Sequence, residues 1–193
     1  MVFEKSKSFF EDFTGIFATD SPVREEAVKA YNNAKKFTDF IIPQINKIIS
    51  QKYCTQNEYF RIDAMGYTSR YQELPKYTRL ESQLWDMDIA VEHENAHKKW
   101  LDEVVKLAHI CCPLRVVIGY VPRNLRENDG EYLEYAASAL SQLKYCKSNL
   151  MQGEFMVILG NSNIGTDVDS YFNYKAYVLH YNSLADTFEF KKL

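Results

Sequence analysis

Residues 84–97, LWDMDIAVEHENAH, gather the side chains of this chain best suited to chemistry. Read as a strand, the segment sets Met87, Ile89 and Val91 on one face and Asp86, Asp88, Ala90, Glu92 and Glu94 on the other. Carboxylates lined up on one face repel each other, and no base intervenes to relieve them. A solvated outer face of an antiparallel sheet is the plain explanation, yet such faces ordinarily mix Lys, Thr and Arg with the acids. Carboxylate oxygens on a rigid strand pair are also what a hard divalent ion, Mg²⁺ or Mn²⁺, requires. Such an ion binds a phosphodiester, lowers the pKa of an attacking water and neutralises the charge growing on the leaving oxygen. Upstream, FRIDAM places Asp63 on the polar face of a short strand predicted over residues 59–65, opposite Phe60, Ile62 and Ala64. Asp63, Glu92 and Glu94 are therefore the candidate metal ligands.

The same segment spells His93-Glu94-Asn95-Ala96-His97. On a helix this pattern puts two imidazoles on one face to bind Zn²⁺, with Glu94 as the general base of a metallopeptidase. The surroundings weigh against it. Residues 86–91 alternate as a strand where a helix should already have begun, and Lys98 and Lys99 follow the second histidine. The third ligand would be Glu103 or, less well placed, His109. On the strand reading His93 turns to the apolar side as a core histidine bonded to backbone, and His97 opens the next helix. A third class of function is an interaction domain that keeps the fold without chemistry.

The elements around these residues follow from periodicity. Ser21-Pro22 is a plausible helix start, and residues 23–50 carry apolar side chains at helical spacing, with Pro43 expected to kink or divide the helix. Gly66 to Gln83 form a polar, Tyr-rich connection punctuated by Pro75. Helical spacing returns over residues 98–109 through Trp100, Val104, Leu107 and Ala108, and Pro113 precedes an apolar strand over residues 114–121. A helix over residues 131–149 and strands over 154–159 and 174–181 complete the chain. This makes one domain of residues 1–193: an N-terminal helical segment (about 21–50), a core (about 59–121), and C-terminal helix and strands (about 131–193). Helices interleaved with strands of both kinds imply an α/β fold, a mixed central β-sheet flanked by helices.

From residue 59 to 121 the order of parts resembles the PD-(D/E)xK nuclease superfamily, the fold of many restriction endonucleases. That family places an Asp on one strand and a Glu/Asp-x-Lys on the next, followed by a helix and a further strand. The matching residues are Asp63 in FRIDAM and Glu92-x-Glu94 in AVEHEN, before the strand LRVVIGYV. Glu94 stands where the family usually has Lys, and no Pro precedes Asp63. The resemblance implies a restriction-endonuclease-like fold and metal-dependent hydrolysis of nucleic-acid phosphodiesters, DNA foremost. Asp63, Glu92 and Glu94 would hold Mg²⁺ or Mn²⁺, and enzymes that cut both strands are expected to be homodimers. The lysine that orients water or binds phosphate must come from elsewhere. Lys98 ranks first because it opens the helix after Glu94, whereas Lys106 sits two turns farther along.

Composition narrows the setting. The chain has 193 residues, 46% hydrophobic and 25% charged, enough to bury a core and unlike a disordered chain. Its 23 basic against 26 acidic side chains give a net charge of -3, which excludes a blanket polycation. Nucleic-acid contact must then come from local bases, the candidates being Arg61, Arg70, Lys76, Arg79, Lys98 and Lys99. Cys54, Cys111, Cys112 and Cys146 lack the paired spacing of a zinc site and read as reduced thiols. No segment has the uninterrupted apolar run of a signal peptide or a membrane span, so the expectation is a cytoplasmic protein with no membrane partner.

Overall fold

A computed structural model describes residues 3–69, 85–122, 129–162 and 171–193. Three helices come first: α1 (Glu4–Gly15), α2 (Arg24–Tyr31) and α3 (Ala34–Ser50). Sequence periodicity predicts one helix where α2 and α3 stand, broken at Pro43. The break falls instead at Asn33, whose side chain accepts the Lys36 amide as an N-cap, and α3 runs on through Pro43. The first helix, not predicted, buries Phe9 and Phe13 one turn apart.

Next come β1 (Cys54–Gln56), β2 (Ala64–Ser69) and β3 (Trp85–Glu94), a run of antiparallel neighbours. A crossover through α4 (Trp100–Ala108) leads to β4 (Leu114–Val121), parallel to β3. A second, through α5 (Asp129–Gln142) and α6 (Lys147–Met151), leads to β5 (Glu154–Asn161), parallel to β4. The antiparallel strands β6 (Lys175–Asn182) and β7 (Thr187–Lys192) finish a seven-stranded sheet whose spatial order is the chain order. The mixed α/β sheet flanked by helices is as the sequence implies.

Two cores lie on the two faces of the sheet. Val91, Val116, Ile118, Met156 and Ile158 share a core with α1, α2 and α3, which contribute Phe13, Ala27, Phe37, Ile41 and Ile45. Ala90, Val117, Val157 and Leu159 meet α4, α5 and α6 through Trp100, Val104, Leu107, Leu140 and Leu150. The central strands are therefore covered on both faces, which is why β4 is buried along its whole length. Among the described residues no helix is long and apolar enough to cross a membrane.

Two sequence expectations are corrected here. The strand predicted over residues 59–65 begins only at Ala64; before it the chain turns through Glu58, Phe60 and Arg61, all at positive φ, and Phe60 is exposed. The acidic row along β3 also does not share one face. Gly66 pairs with Ile89 but Tyr67 with Met87, so Asp88 is the extra residue of a bulge and the alternation changes phase there. Met87 packs with Ala90 on the α4 side, while buried Asp88 and Ile89 line a small cleft with Lys5, Asp12 and Lys52 on the α1–α3 side. Arg70, Pro75, Lys76, Arg79 and Gln83 lie outside the described residues.

Candidate active site

Asp63 is the last residue before β2, and antiparallel pairing of β2 with β3 brings it beside the carboxyl end of β3. Its Oδ2 accepts the backbone amide of His93 at 2.8 Å, so the carboxylate is fixed against the residue next to Glu92. Glu92 points from β3 to the α4 side of the sheet and is 2% exposed. The Lys106 Nζ on α4 stands 2.8 Å from Glu92 Oε1 and 2.5 Å from Glu103 Oε2, and it donates to the Arg61 carbonyl oxygen at 3.0 Å. The left-handed turn at residues 58–61 thus delivers both Asp63 and the Arg61 carbonyl to the site. Positive φ at non-glycine residues costs of order 1–3 kcal/mol each and is found preferentially at functional sites.

Three carboxylates gather here around one ammonium, and their protonation follows from burial. Removal from water pushes the Glu92 carboxyl up to about 8, with the charges of Asp63 and Glu103 acting in the same direction and Lys106 against it. Burial likewise raises Asp63, while the His93 amide and Lys106 pull it down. Burial works against the Lys106 charge, but Glu103 and Glu92 outweigh it and hold the ammonium above the ordinary lysine value. Glu92 therefore holds its proton near neutral pH, and an incoming cation must displace that proton to bind there.

Glu94 and Lys98 are placed differently. Glu94 Oε1 accepts the Ala96 amide at 2.7 Å, closing the turn after β3, and among the described residues Glu94 makes no ion pair. Lys98 lies in that turn at φ 70°, with its Nζ 5.9 Å from the centre of the Tyr132 ring on α5. The structure thus brings Asp63 and Glu92 together and supplies Lys106 from α4, while Lys98 meets α5. Sequence reasoning ranked Lys106 below Lys98 by counting residues beyond Glu94. It overlooked that a crossover helix runs back along the sheet: α4 starts past the end of β3, and two turns return its side chains to the level of Glu92. Glu103, considered only as a zinc ligand, is three residues before Lys106 on the same helix face, and that spacing was the available signal.

The His93-Glu94-x-x-His97 segment is not helical. His93 and Glu94 end β3, and helix starts only at Trp100. The His93 ring sits on the α1–α3 side with Nε2 2.9 Å from the Tyr120 hydroxyl rather than on backbone, and burial pushes its pKa down to about 3. His97 packs edge-on against Tyr132. The two imidazoles therefore do not share the one helix face that the zinc motif needs.

Among the described residues no three His, Cys, Asp or Glu side chains are spaced to enclose a metal by themselves. Asp63 and Glu92 are a pair of hard oxygen donors. That donor set suits Mg²⁺, which keeps several waters and takes one or two carboxylates together with substrate phosphate. Comparison with protein-family models, with curated proteins and with solved structures finds no significant match for this chain.

Proposed function

We propose that the chain is a restriction-endonuclease-like, metal-dependent nuclease that hydrolyses nucleic-acid phosphodiesters, DNA foremost, at Asp63, Glu92 and Lys106. The observation that carries this reading is the convergence of an aspartate before β2, a buried glutamate on β3 and a lysine on α4 at one end of the sheet. The order β2, β3, α4, β4 is also the order of parts in the PD-(D/E)xK nucleases that the sequence resembles.

Asp63 and Glu92 would hold Mg²⁺ or Mn²⁺, which when bound activates water and neutralises charge on the phosphate. The chain's own groups do the rest. The His93 amide fixes Asp63, so the ligand is set before the ion arrives. Glu92 would have to give up its proton to hold the cation, a loss its buried position delays to high pH in the absence of metal. Lys106 carries its charge on a stem anchored by Glu103 and the Arg61 carbonyl. With Glu92 engaged as a metal ligand, one Lys106 N–H would be free to donate to a phosphate oxygen or to the attacking water. The water oxygen forms the new P–O bond as the bond to the leaving sugar oxygen breaks; the attacking water releases a proton to solvent and the leaving oxygen takes one up from it.

The reading is tested by incubating the protein with plasmid and single-stranded DNA in Mg²⁺ or Mn²⁺, beside Asp63→Asn and Glu92→Gln controls. Cleavage by the parent protein that both substitutions abolish is the expected result. Cleavage that survives either substitution, or none with any divalent ion, overturns it.

A further inference from the structure

Phe60 is 72% exposed, at the tip of the turn that leads into the carboxylates. A single exposed aromatic is ordinary, but the backbone beneath this one is not. The Ile62 amide donates to the Tyr59 carbonyl oxygen at 2.9 Å, closing a tight turn whose two central residues, Phe60 and Arg61, have φ of 50° and 63°. Positive φ at both central positions is the pattern of a type I′ turn, which Gly, Asn and Asp fill most readily. Here an aromatic ring and a guanidinium stand in their place, and backbone strain of this kind recurs at ligand clamps. Tyr59 meets the Phe60 ring edge to face at 4.4 Å and packs against the core on the α4 side, in which Ile62 is fully buried. The turn is anchored, and its ring is presented outward.

The turn belongs to the same face of the sheet as Glu92. Lys106 Nζ, 2.8 Å from Glu92 Oε1, also donates to the Arg61 carbonyl oxygen at 3.0 Å, which ties the turn to the buried carboxyl. Asp63 follows Phe60 by three residues, at most about 11 Å of chain. The Arg61 side chain is exposed beside the ring. An exposed ring next to a cation is the pair of elements with which proteins hold single strands: bases stack on the ring and the cation tracks the phosphates. We propose that Phe60 and Arg61 form a strand-binding lip beside Asp63 and Glu92, the ring stacking on an unpaired base and the guanidinium meeting the phosphate next to it. The proposal rests on the nuclease reading above and deepens it: the substrate is single-stranded nucleic acid, held without regard to base identity because every base has a π-face.

The test is fluorescence anisotropy of a labelled oligothymidylate, with Ca²⁺ in place of Mg²⁺ to keep the strand uncut, beside a labelled duplex of the same length. Phe60→Asn removes the ring and suits the left-handed backbone. It should weaken single-strand binding about tenfold, the worth of one stacked base, while duplex binding holds and the melting temperature does not fall. Phe60→Trp should keep the parent affinity. Arg61→Gln should flatten the slope of log Kd against log salt by about 0.7, one phosphate contact on a single strand. Single-strand affinity that Phe60→Asn leaves intact, an equal loss on duplex, a lowered melting temperature or an unchanged salt slope in Arg61→Gln overturns the lip, and Mg²⁺-dependent cleavage by the parent then spares the nuclease. The specific loss in Phe60→Asn without any cleavage by the parent supports the lip and overturns the nuclease. Neither binding nor cleavage overturns both.

Discussion

Lys106 and Glu92 meet at 2.8 Å across the gap between α4 and β3, an ion pair in which the carboxylate is buried and the ammonium still reaches solvent. Its two ends differ in what they need. The lysine keeps its charge through Glu103 as well, whereas burial and two neighbouring acids push the glutamate carboxyl up to about 8, so it ionises only as the pH approaches that value.

The pH dependence of stability follows from Glu92. Its carboxyl titrates at about 8 when folded and at about 4.5 when unfolded, so between those values the folded chain holds more protons and stability falls as pH rises. In metal-free buffer the melting temperature should decline from about pH 5 to about pH 8, and Glu92→Gln should flatten that decline. Saturating Mg²⁺ should reverse it, because the ion binds the ionised carboxylate and releases its proton, measurable by titration calorimetry in buffers of different ionisation enthalpy. A melting curve whose pH response is the same in Glu92→Gln contradicts this account.

Lys106 and Lys98 should behave oppositely. Lys106→Met should abolish DNA cleavage and lower stability by only about 1 kcal/mol at neutral pH, since Glu92, its carboxyl already pushed up to about 8, holds a proton there and leaves no buried charge unpaired. Lys98 occupies left-handed backbone, so Lys98→Gly should raise stability by about 0.5–1 kcal/mol and leave cleavage near the parent rate. Urea unfolding and plasmid nicking on the same preparations measure both. Loss of cleavage in Lys98→Gly with Lys106→Met active would reverse the assignment.

The buried imidazole sets an acid limb. His93 is neutral when folded, with a pKa of about 3 against 6.5 for the free side chain. Its contribution is intact above pH 6.5 and is lost as pH falls from there toward 3, by at most about 1.4 kcal/mol per pH unit. His93→Phe should make the loss of stability between about pH 6 and about pH 4 shallower, seen as a smaller drop in the urea midpoint. A zinc-binding assay on the parent chain should find no stoichiometric Zn²⁺ dependent on His93 and His97.

Gly119 controls where α4 begins. It pairs with Glu94 across β3 and β4, and a Cβ there would lie 2.5 Å from Trp100 Cγ and 2.7 Å from Trp100 Cβ. Trp100 is fully buried and cannot step aside, so Gly119→Ala should cost about 1–3 kcal/mol and push out the first turn of α4. Because Glu103 and Lys106 ride on that helix, cleavage should fall by more than the unfolded fraction explains. Unchanged activity in the folded fraction would show that α4 tolerates the shift.

Much of this was legible in the residues themselves. Strand β4 matches its apolar run from Leu114 to Val121, and Asp63 and Glu92 lie together as their spacing around β2 and β3 implied. What stayed hidden depended on contacts distant in the chain. The bulge that turns Asp88 from Glu92 sits where β2 passes close beneath α3: a Cβ on Gly66 would lie 2.5 Å from Ile49 Cγ2. No alternation of polar and apolar residues in β3 alone encodes that. The division at Asn33 rather than Pro43 was readable in principle, since an Asn ahead of a helical run is a strong cap. Strand β7, missed entirely, has only Phe188 buried to mark it.

A sheet whose spatial order repeats its chain order bears on how the molecule is made. Each strand lies beside one already synthesised, and each crossover returns beside the strand it has just left, so the chain can add strands in the order the ribosome releases them. Asp63, Glu92, Glu103 and Lys106, together with the strands that frame them, are all present once residue 121 has emerged. The charged cluster can therefore assemble while β5, β6 and β7 are still being translated, and those later strands act to cover β4 and seal the sheet.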